Sequence, residues 1–214
     1  MANTTKGKQT QDTILQTAKR LFYERGFGDV SLTDICAESG KNLGTLTYYF
    51  PKKWNIIDAL YQQYMTRLQN FVSENAADVS PAERYVYVIL LYYYNVYTDG
   101  AITRFHYSIM LESSMNHIFN DTKHIVMPLL GERIDDELLD LYVSADNAVR
   151  RELNLEFMRE SKARDLPSIV NLIRRIHLVA IRLYGFDPKT LDAYLERAAQ
   201  FALAHPNAIK LIEK

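Results

Sequence analysis

The chain has 214 residues, 48% hydrophobic and 24% charged, with a formal net charge of −1. That is an ordinary globular composition with room for a buried core in one or two domains. The longest apolar run, Tyr85 to Tyr94, has ten residues, against the roughly 20 of a membrane span, and one cysteine, Cys36, excludes an internal disulfide.

The polar N-terminus shows no signal-peptide pattern, so a soluble protein of the reducing cytoplasm is expected, with Cys36 as a small buried hydrophobe. Charge is unevenly spread. Residues 1–55 carry eight Lys/Arg and five acids, a net +3, and the remainder carries 17 and 21, a net −4. A basic head on an acidic body fits a protein that touches nucleic acid with one end.

Residues 1–9 are polar and read as a disordered tail, in which Lys6 and Lys8 could reach phosphates or simply stay solvated. A first helix follows from about Gln11 to Arg25, with Ile14, Leu15, Ala18, Leu21 and Phe22 on one stripe and Gly26 as its stop. Ser31 caps a short helix to about Ser39, and Gly40 ends it. Asn42 caps another to Tyr49, with Pro51 just beyond. Two short helices around a Gly-containing turn spell a helix-turn-helix. The second is about 12 Å long at 1.5 Å per residue, a match for a major groove about 12 Å wide. Leu46 and Phe50 face inward on it. Leu43 and Thr47 face outward, flanked by Gly44, Thr45 and Tyr48. Gly44 costs ~1 kcal/mol of helix stability, which makes sense where another backbone comes very close.

A fourth, long amphipathic helix starts near Lys52 or Lys53 and reaches about Ala76. Ser80-Pro81-Ala82-Glu83 reads as a capping box for a helix that is apolar almost all round, hence buried on most sides. Asp99-Gly100 ends it. Further helices are expected from Ile102 to about Met115, from Asn120-Asp121 toward Leu130, and from Asp135 or Asp136 to about Lys162. Leu166-Pro167-Ser168 breaks the chain before a last helix pair joined by Gly185-Phe186-Asp187-Pro188 and stopped at His205-Pro206. The expected fold is all-α: a tail (1–9), a three-helix domain with the helix-turn-helix (10–54) and a larger helical body (55–214).

From Ile14 to Leu60 the chain resembles the DNA-binding domain of the TetR (tetracycline repressor) family of bacterial transcription regulators. Ala18, Leu21-Phe22, Gly26-Phe27, Ser31-Leu32, Ile35, Gly40, Gly44-Thr45-Leu46, Tyr48, Phe50 and Lys53 carry the resemblance, 47 residues without a gap. The resemblance implies phosphate contacts at Thr33 and Lys53, base or near-base contacts at Leu43, Gly44, Thr45 and Thr47, and backbone contacts at Tyr48 and Tyr49. Lys41 and Asn42 complete the expected DNA-binding set. Lys41, Leu43 and Thr47 depart from the family's usual residues. Leu43 cannot hydrogen-bond a base but can pack on a thymine methyl. The fourth helix becomes the lever between head and body. The C-terminal hairpin becomes the homodimer interface, through Leu172, Ile176, Val179, Leu183, Leu191, Leu195, Ala198 and Ala202. Closure of the monomer's own core by the same residues stays open.

Tyr85, Tyr87, Tyr92, Tyr93, Tyr94, Tyr97 and Tyr107 crowd one stretch with Phe105, His106, Met110 and Met115. They could line a pocket for a bulky apolar or aromatic effector, with Tyr92, Tyr93, Tyr97, His106, Met110 and Tyr142 as its candidates, or form a plain aromatic core. His117, Asp121 and His124 have metal-like spacing, but Asp121-Thr122 reads as a helix start that would splay them, so no metal is expected, nor any other cofactor. No catalytic constellation points to an enzyme. The sequence therefore reads as a dimeric one-component regulator, a repressor on a palindromic DNA operator released by a small molecule. The alternative is a ligand-binding adaptor that has lost operator recognition.

Overall fold

The computed structural model describes residues 5–112, 136–160, 164–184 and 187–205, with the backbone alone described at 112, 136, 160 and 177–184. Among them the protein is all-α: α1 (Thr5–Arg25), α2 (Leu32–Ser39), α3 (Leu43–Tyr49), α4 (Lys53–Asn75), α5 (Pro81–Thr98), α6 (Gly100–Glu112), α7 (Asp136–Glu160), α8 (Leu166–Tyr184) and α9 (Pro188–Ala204). No helix among the described residues is long and apolar enough to cross a membrane. The expected loop and short helix between Asn120 and Leu130, with His117, Asp121 and His124, and Met115, lie outside the described residues.

Residues 5–9, expected as part of a disordered tail, are instead the first turns of α1. Nothing in Thr5–Gln9 breaks a helix outright, and Gly7 is its one weak former. Thr10 and Thr13 donate their hydroxyls back to the Lys6 and Gln9 carbonyls at 3.0 and 2.8 Å, as helical threonines do.

The head is α1 to α3 with the first turns of α4. Ile14, Leu15, Ala18, Leu21 and Phe22 of α1 are buried with Phe27, Val30, Ile35, Leu46, Phe50, Ile56 and Ile57. At 23 residues, α4 is about 34 Å long at 1.5 Å per residue. It carries this core onward through Tyr61, Tyr64, Leu68 and Val72, all buried.

The body is built around α5, which packs on α4, α6, α8 and α9. Four packed neighbours explain why its sequence has no polar face: Val86 to Tyr93, Val96 and Tyr97 are all buried. Ser80 caps it, accepting from the Glu83 N–H at 3.2 Å. The Glu83 carboxylate goes elsewhere: it accepts from the Tyr87 hydroxyl at 3.1 Å and from Arg197 Nε at 2.6 Å, tying the start of α5 to α9.

Those bonds hold the Glu83 carboxyl below its ordinary value of 4.5, the Arg197 hydrogen bond being the main cause. A depressed folded pKa means that this contribution is fully present above pH 4.5 and lost as pH falls through the folded value. Glu83→Gln is therefore expected to lower Tm at pH 7 and to flatten the fall of Tm with acid below pH 4.5. An unchanged acid limb in the variant would remove Glu83 from that transition.

The dimer residues expected on the C-terminal hairpin need correction. Leu172, Ile176, Leu191, Leu195, Ala198 and Ala202 are each at most 5% exposed within one protomer, facing inward where α8 and α9 pack on α5. An apolar stripe shows that a helix face is buried, not by whom. Here the protomer's own core wins. The side chains of Val179 and Leu183 lie outside the described residues.

Candidate nucleic-acid interface

Local chemistry sets the ends of α2 and α3. Ser31 and Asp34 cap α2 reciprocally: the Asp34 N–H donates to Ser31 Oγ at 3.1 Å and the Ser31 N–H to Asp34 Oδ2 at 2.7 Å. The hydrogen bonds from Ser31 hold the Asp34 carboxyl below the usual carboxylate range. Gly40 ends α2 in the left-handed region, φ 66°, a conformation that side chains with a Cβ enter at a cost. The Lys41 N–H closes the turn onto the Cys36 carbonyl at 3.2 Å. Asn42 then caps α3, its Oδ1 accepting from the Thr45 N–H at 2.8 Å.

One face of α3 is anchored and the other is open. Leu46 and Phe50 are buried in the head, whereas Leu43 is 49% and Tyr48 64% exposed. Asn42 and Gly44 are exposed, and Lys41, Thr45, Thr47 and Tyr49 are half-buried. The Tyr49 ring meets Tyr48 edge-on at 5.0 Å. The Thr47 hydroxyl donates to the Leu43 carbonyl at 2.9 Å, so its hydrogen is committed to the helix and the methyl remains for a partner. A methyl added at Gly44 would meet only Asn42 Oδ1, at 3.5 Å. The protein's own packing therefore does not require glycine there. Thr33 is exposed at the first turn of α2, 3.0 Å from the Ser31 hydroxyl.

Lys53, expected as a phosphate ligand, is half-buried. Its ammonium donates to the Phe27 and Val30 carbonyls at 2.7 and 3.0 Å and lies 4.0 Å above the Phe27 ring. It clips the start of α4 to the turn between α1 and α2. The neighbouring Lys52 is the exposed one, and the Lys52-Lys53 pair is its signal in the sequence.

Phe27 also carries the contact to the body. Its ring packs against Trp54 and Phe22, with centroids 4.5 and 5.4 Å away, and Phe22 stacks on Phe105 of α6 at 5.9 Å. Its N–H donates to Ser108 Oγ of α6 at 3.3 Å. The same residue is thus held by head, α4 and α6. Ser108 stands 81 residues away in sequence, and nothing local marked it.

Of the expected effector residues, Tyr92, Tyr93 and Tyr97 of α5 and His106 and Met110 of α6 are all buried together, while Tyr142 is half-buried on α7. His106 Nδ1 is 2.9 Å from the Tyr61 hydroxyl and 3.4 Å from that of Tyr92. Burial pushes its pKa down to about 3, so the ring is neutral. Its Nε2 has no partner among the described residues. A cleft of about 50 Å³ runs past Tyr61 and Tyr64 between α1, α4 and α6, room for a water or two rather than a drug-sized molecule.

A family model described as bacterial regulatory proteins, tetR family, matches residues 14–60. The probable HTH-type transcriptional regulator YttP of Bacillus subtilis (strain 168) is 25% identical over 135 residues, 58% of this chain and 64% of that protein, less than two thirds of the relative's length. The solved structure of full-length native tylp, a tetR regulator from Streptomyces fradiae, aligns with a TM-score of 0.53 at 15% identity, over 95% of this chain and 94% of that one. A tetR-family transcriptional regulator from Streptomyces coelicolor aligns with a TM-score of 0.50 at 14% identity, over 90% and 89%. At such identities the two structures speak for the fold alone. The matched residues include α3, on which Leu43 and Gly44 are exposed and Thr47 half-buried. Residues 14–60 thus match the N-terminal domain of the tetR family of bacterial regulatory proteins.

Proposed function

We propose that the protein acts in the cytoplasm as a homodimeric repressor, binding a palindromic operator through α3 and released from it by a small, largely apolar or aromatic effector held in the body. The observation that carries this reading is the face of Leu43, Gly44 and Thr47: Leu43 and Gly44 are exposed, Thr47 is half-exposed, and the protein's own packing does not require glycine at 44. Lys41, Lys52 and Thr33 flank it as phosphate ligands, with Tyr48 and Tyr49 against the sugar-phosphate backbone. Lys53 sets the angle between α4 and the head.

Two protomers pair through the outer side of α9, where Ala193, Gln200 and the 56% exposed Leu203 lie away from the protomer core. An effector among the tyrosines displaces α5 against α6 and α4. Phe105 and Ser108 then carry the movement to Phe22 and Phe27. Such a molecule acts only by binding the released form more tightly than the operator-bound one.

The experiment is a gel-shift with DNA flanking the gene. Sharp, salt-sensitive retention with a dimer's half-site spacing is expected. Failure to retain any flanking or selected duplex at low salt would remove the repressor reading.

Leu43 and the Thr47 methyl form an apolar reading edge, which predicts thymine at one position of each half-site. Leu43→Ala is expected to weaken the operator and flatten discrimination at that position alone, by about 1–3 kcal/mol. Binding selections on both proteins measure it. Equal weakening on every sequence would show that Leu43 does not read a base.

A further inference from the structure

The apolar side of α7, with Leu139, Val143, Leu155, Phe157 and Met158 buried, also buries Asp146, Asn147, Arg150 and Asn154, none more than 5% exposed. Spacing of four and eight residues brings Asp146, Arg150 and Asn154 to one helix face, which meets Tyr85, Tyr93 and Tyr97 of α5, with Asn147 one residue round from Asp146. Arg150 Nη2 donates to Asp146 Oδ2 at 2.7 Å. Asn154 Nδ2 donates to the Tyr93 hydroxyl at 3.1 Å and the Arg150 carbonyl at 2.6 Å, and Tyr97 donates to Asn154 Oδ1. Asp146 Oδ1 and Asn147 Oδ1 are buried with no hydrogen-bond partner among the described residues. Dry acceptors of this kind are costly, and native proteins give nearly all of theirs a partner.

We infer that this seam between α5 and α7 is where the effector's polar group is recognised, and that the effector is uncharged, with an O–H or N–H donor on an aromatic or alicyclic body. The inference rests on the repressor reading and specifies its ligand. Asp146 Oδ1 and Asn147 Oδ1 are acceptors, so they call for a donor. Asp146 and Arg150 already neutralise one another. A carboxylate would face the two acceptor oxygens, and an ammonium would share the seam with the Arg150 guanidinium. Tyr93 and Tyr97 lie parallel at 5.9 Å, and Phe157 flanks Tyr97 at 4.8 Å, giving the ring of an effector flat apolar surfaces to lie on.

Calorimetry on the full-length protein at neutral pH tests this with four probes on one scaffold: 1-naphthol, 1-methoxynaphthalene, 1-naphthoate and 1-naphthylmethylammonium. Naphthol is expected to bind about 10-fold more tightly than its methyl ether, the worth of one hydrogen bond at a buried acceptor, and the two ions more weakly than either. In Asn147→Leu the naphthol advantage should shrink to about 3-fold or less with the ether's affinity kept. Asn147→Ala serves if the leucine variant does not fold, and the ratio in the unaltered protein stands without either. Equal affinity for naphthol and ether, tighter binding of an ion, no effect of either variant, or failure of every donor-bearing probe to bind overturns the assignment. Operator retention is read separately by gel-shift. Donor-dependent binding that leaves the operator complex intact keeps the seam as a binding site and removes its regulatory role.

Discussion

Gly44→Ala is expected to leave the protein as stable as before, or more so, and to lose about 5- to 150-fold in operator affinity. The two halves come from different physics. Within the protein, the new methyl meets only Asn42 Oδ1 at 3.5 Å, an ordinary contact, and that oxygen is already held by the Thr45 N–H. Alanine is the better helix former by up to ~1 kcal/mol, so Tm should rise slightly or stay. At the interface the same methyl stands where a groove wall would lie against the bare backbone of α3. Overpacking a close contact costs about 1–3 kcal/mol, and each 1.4 kcal/mol is tenfold. Thermal melting and gel-shift on one preparation read both. Unchanged operator affinity would show that DNA keeps clear of Gly44, and the recognition surface would then have to be sought at Tyr48 or Lys41. A lower Tm would mean that glycine was serving the fold after all.

The parts of the fold that were legible were those fixed by neighbours in sequence. Ser31, Asn42 and Ser80 cap helices because their side-chain oxygens reach N–H groups three residues on, and such signals sit within one turn. The burial of α5 could be read because a helix with no polar face has nowhere else to go. What stayed hidden depended on partners far along the chain. The resemblance implies a phosphate contact at Lys53, and nothing local announces the Phe27 and Val30 carbonyls that hold it, 26 and 23 residues back. The stripe of Leu191, Leu195, Ala198 and Ala202 was visible as apolar, but periodicity is the same whether a helix closes its own core or meets a second copy. On α7 the polar residues were in view without a reason for interest. Only the burial of Asp146 and Asn147 makes their unmet oxygens informative.

Asp146→Ala is expected to cost about 3–5 kcal/mol, among the largest losses from a single substitution in the body. Both members of the Asp146–Arg150 pair are 1% exposed and 2.7 Å apart. Removing the carboxylate leaves a guanidinium in a site that water does not reach. Its remaining neighbours, the Tyr85 and Tyr93 hydroxyls, are neutral, because burial pushes both phenols above their ordinary pKa. For a chain of this size that loss lowers Tm by roughly 6–20 °C. Replacing both partners by apolar residues, Asp146→Leu with Arg150→Met, removes charge and counter-charge together. It should restore stability to the starting value or exceed it by about 1–4 kcal/mol. The two single substitutions are therefore strongly non-additive, and a urea-melt double-mutant cycle measures the coupling directly. A loss below ~1 kcal/mol in Asp146→Ala would place the pair in contact with solvent. The double variant also separates two reasons for burying a charge pair. If it melts as high as the unaltered protein yet binds 1-naphthol no better than the methyl ether, the pair serves recognition and the fold merely tolerates it.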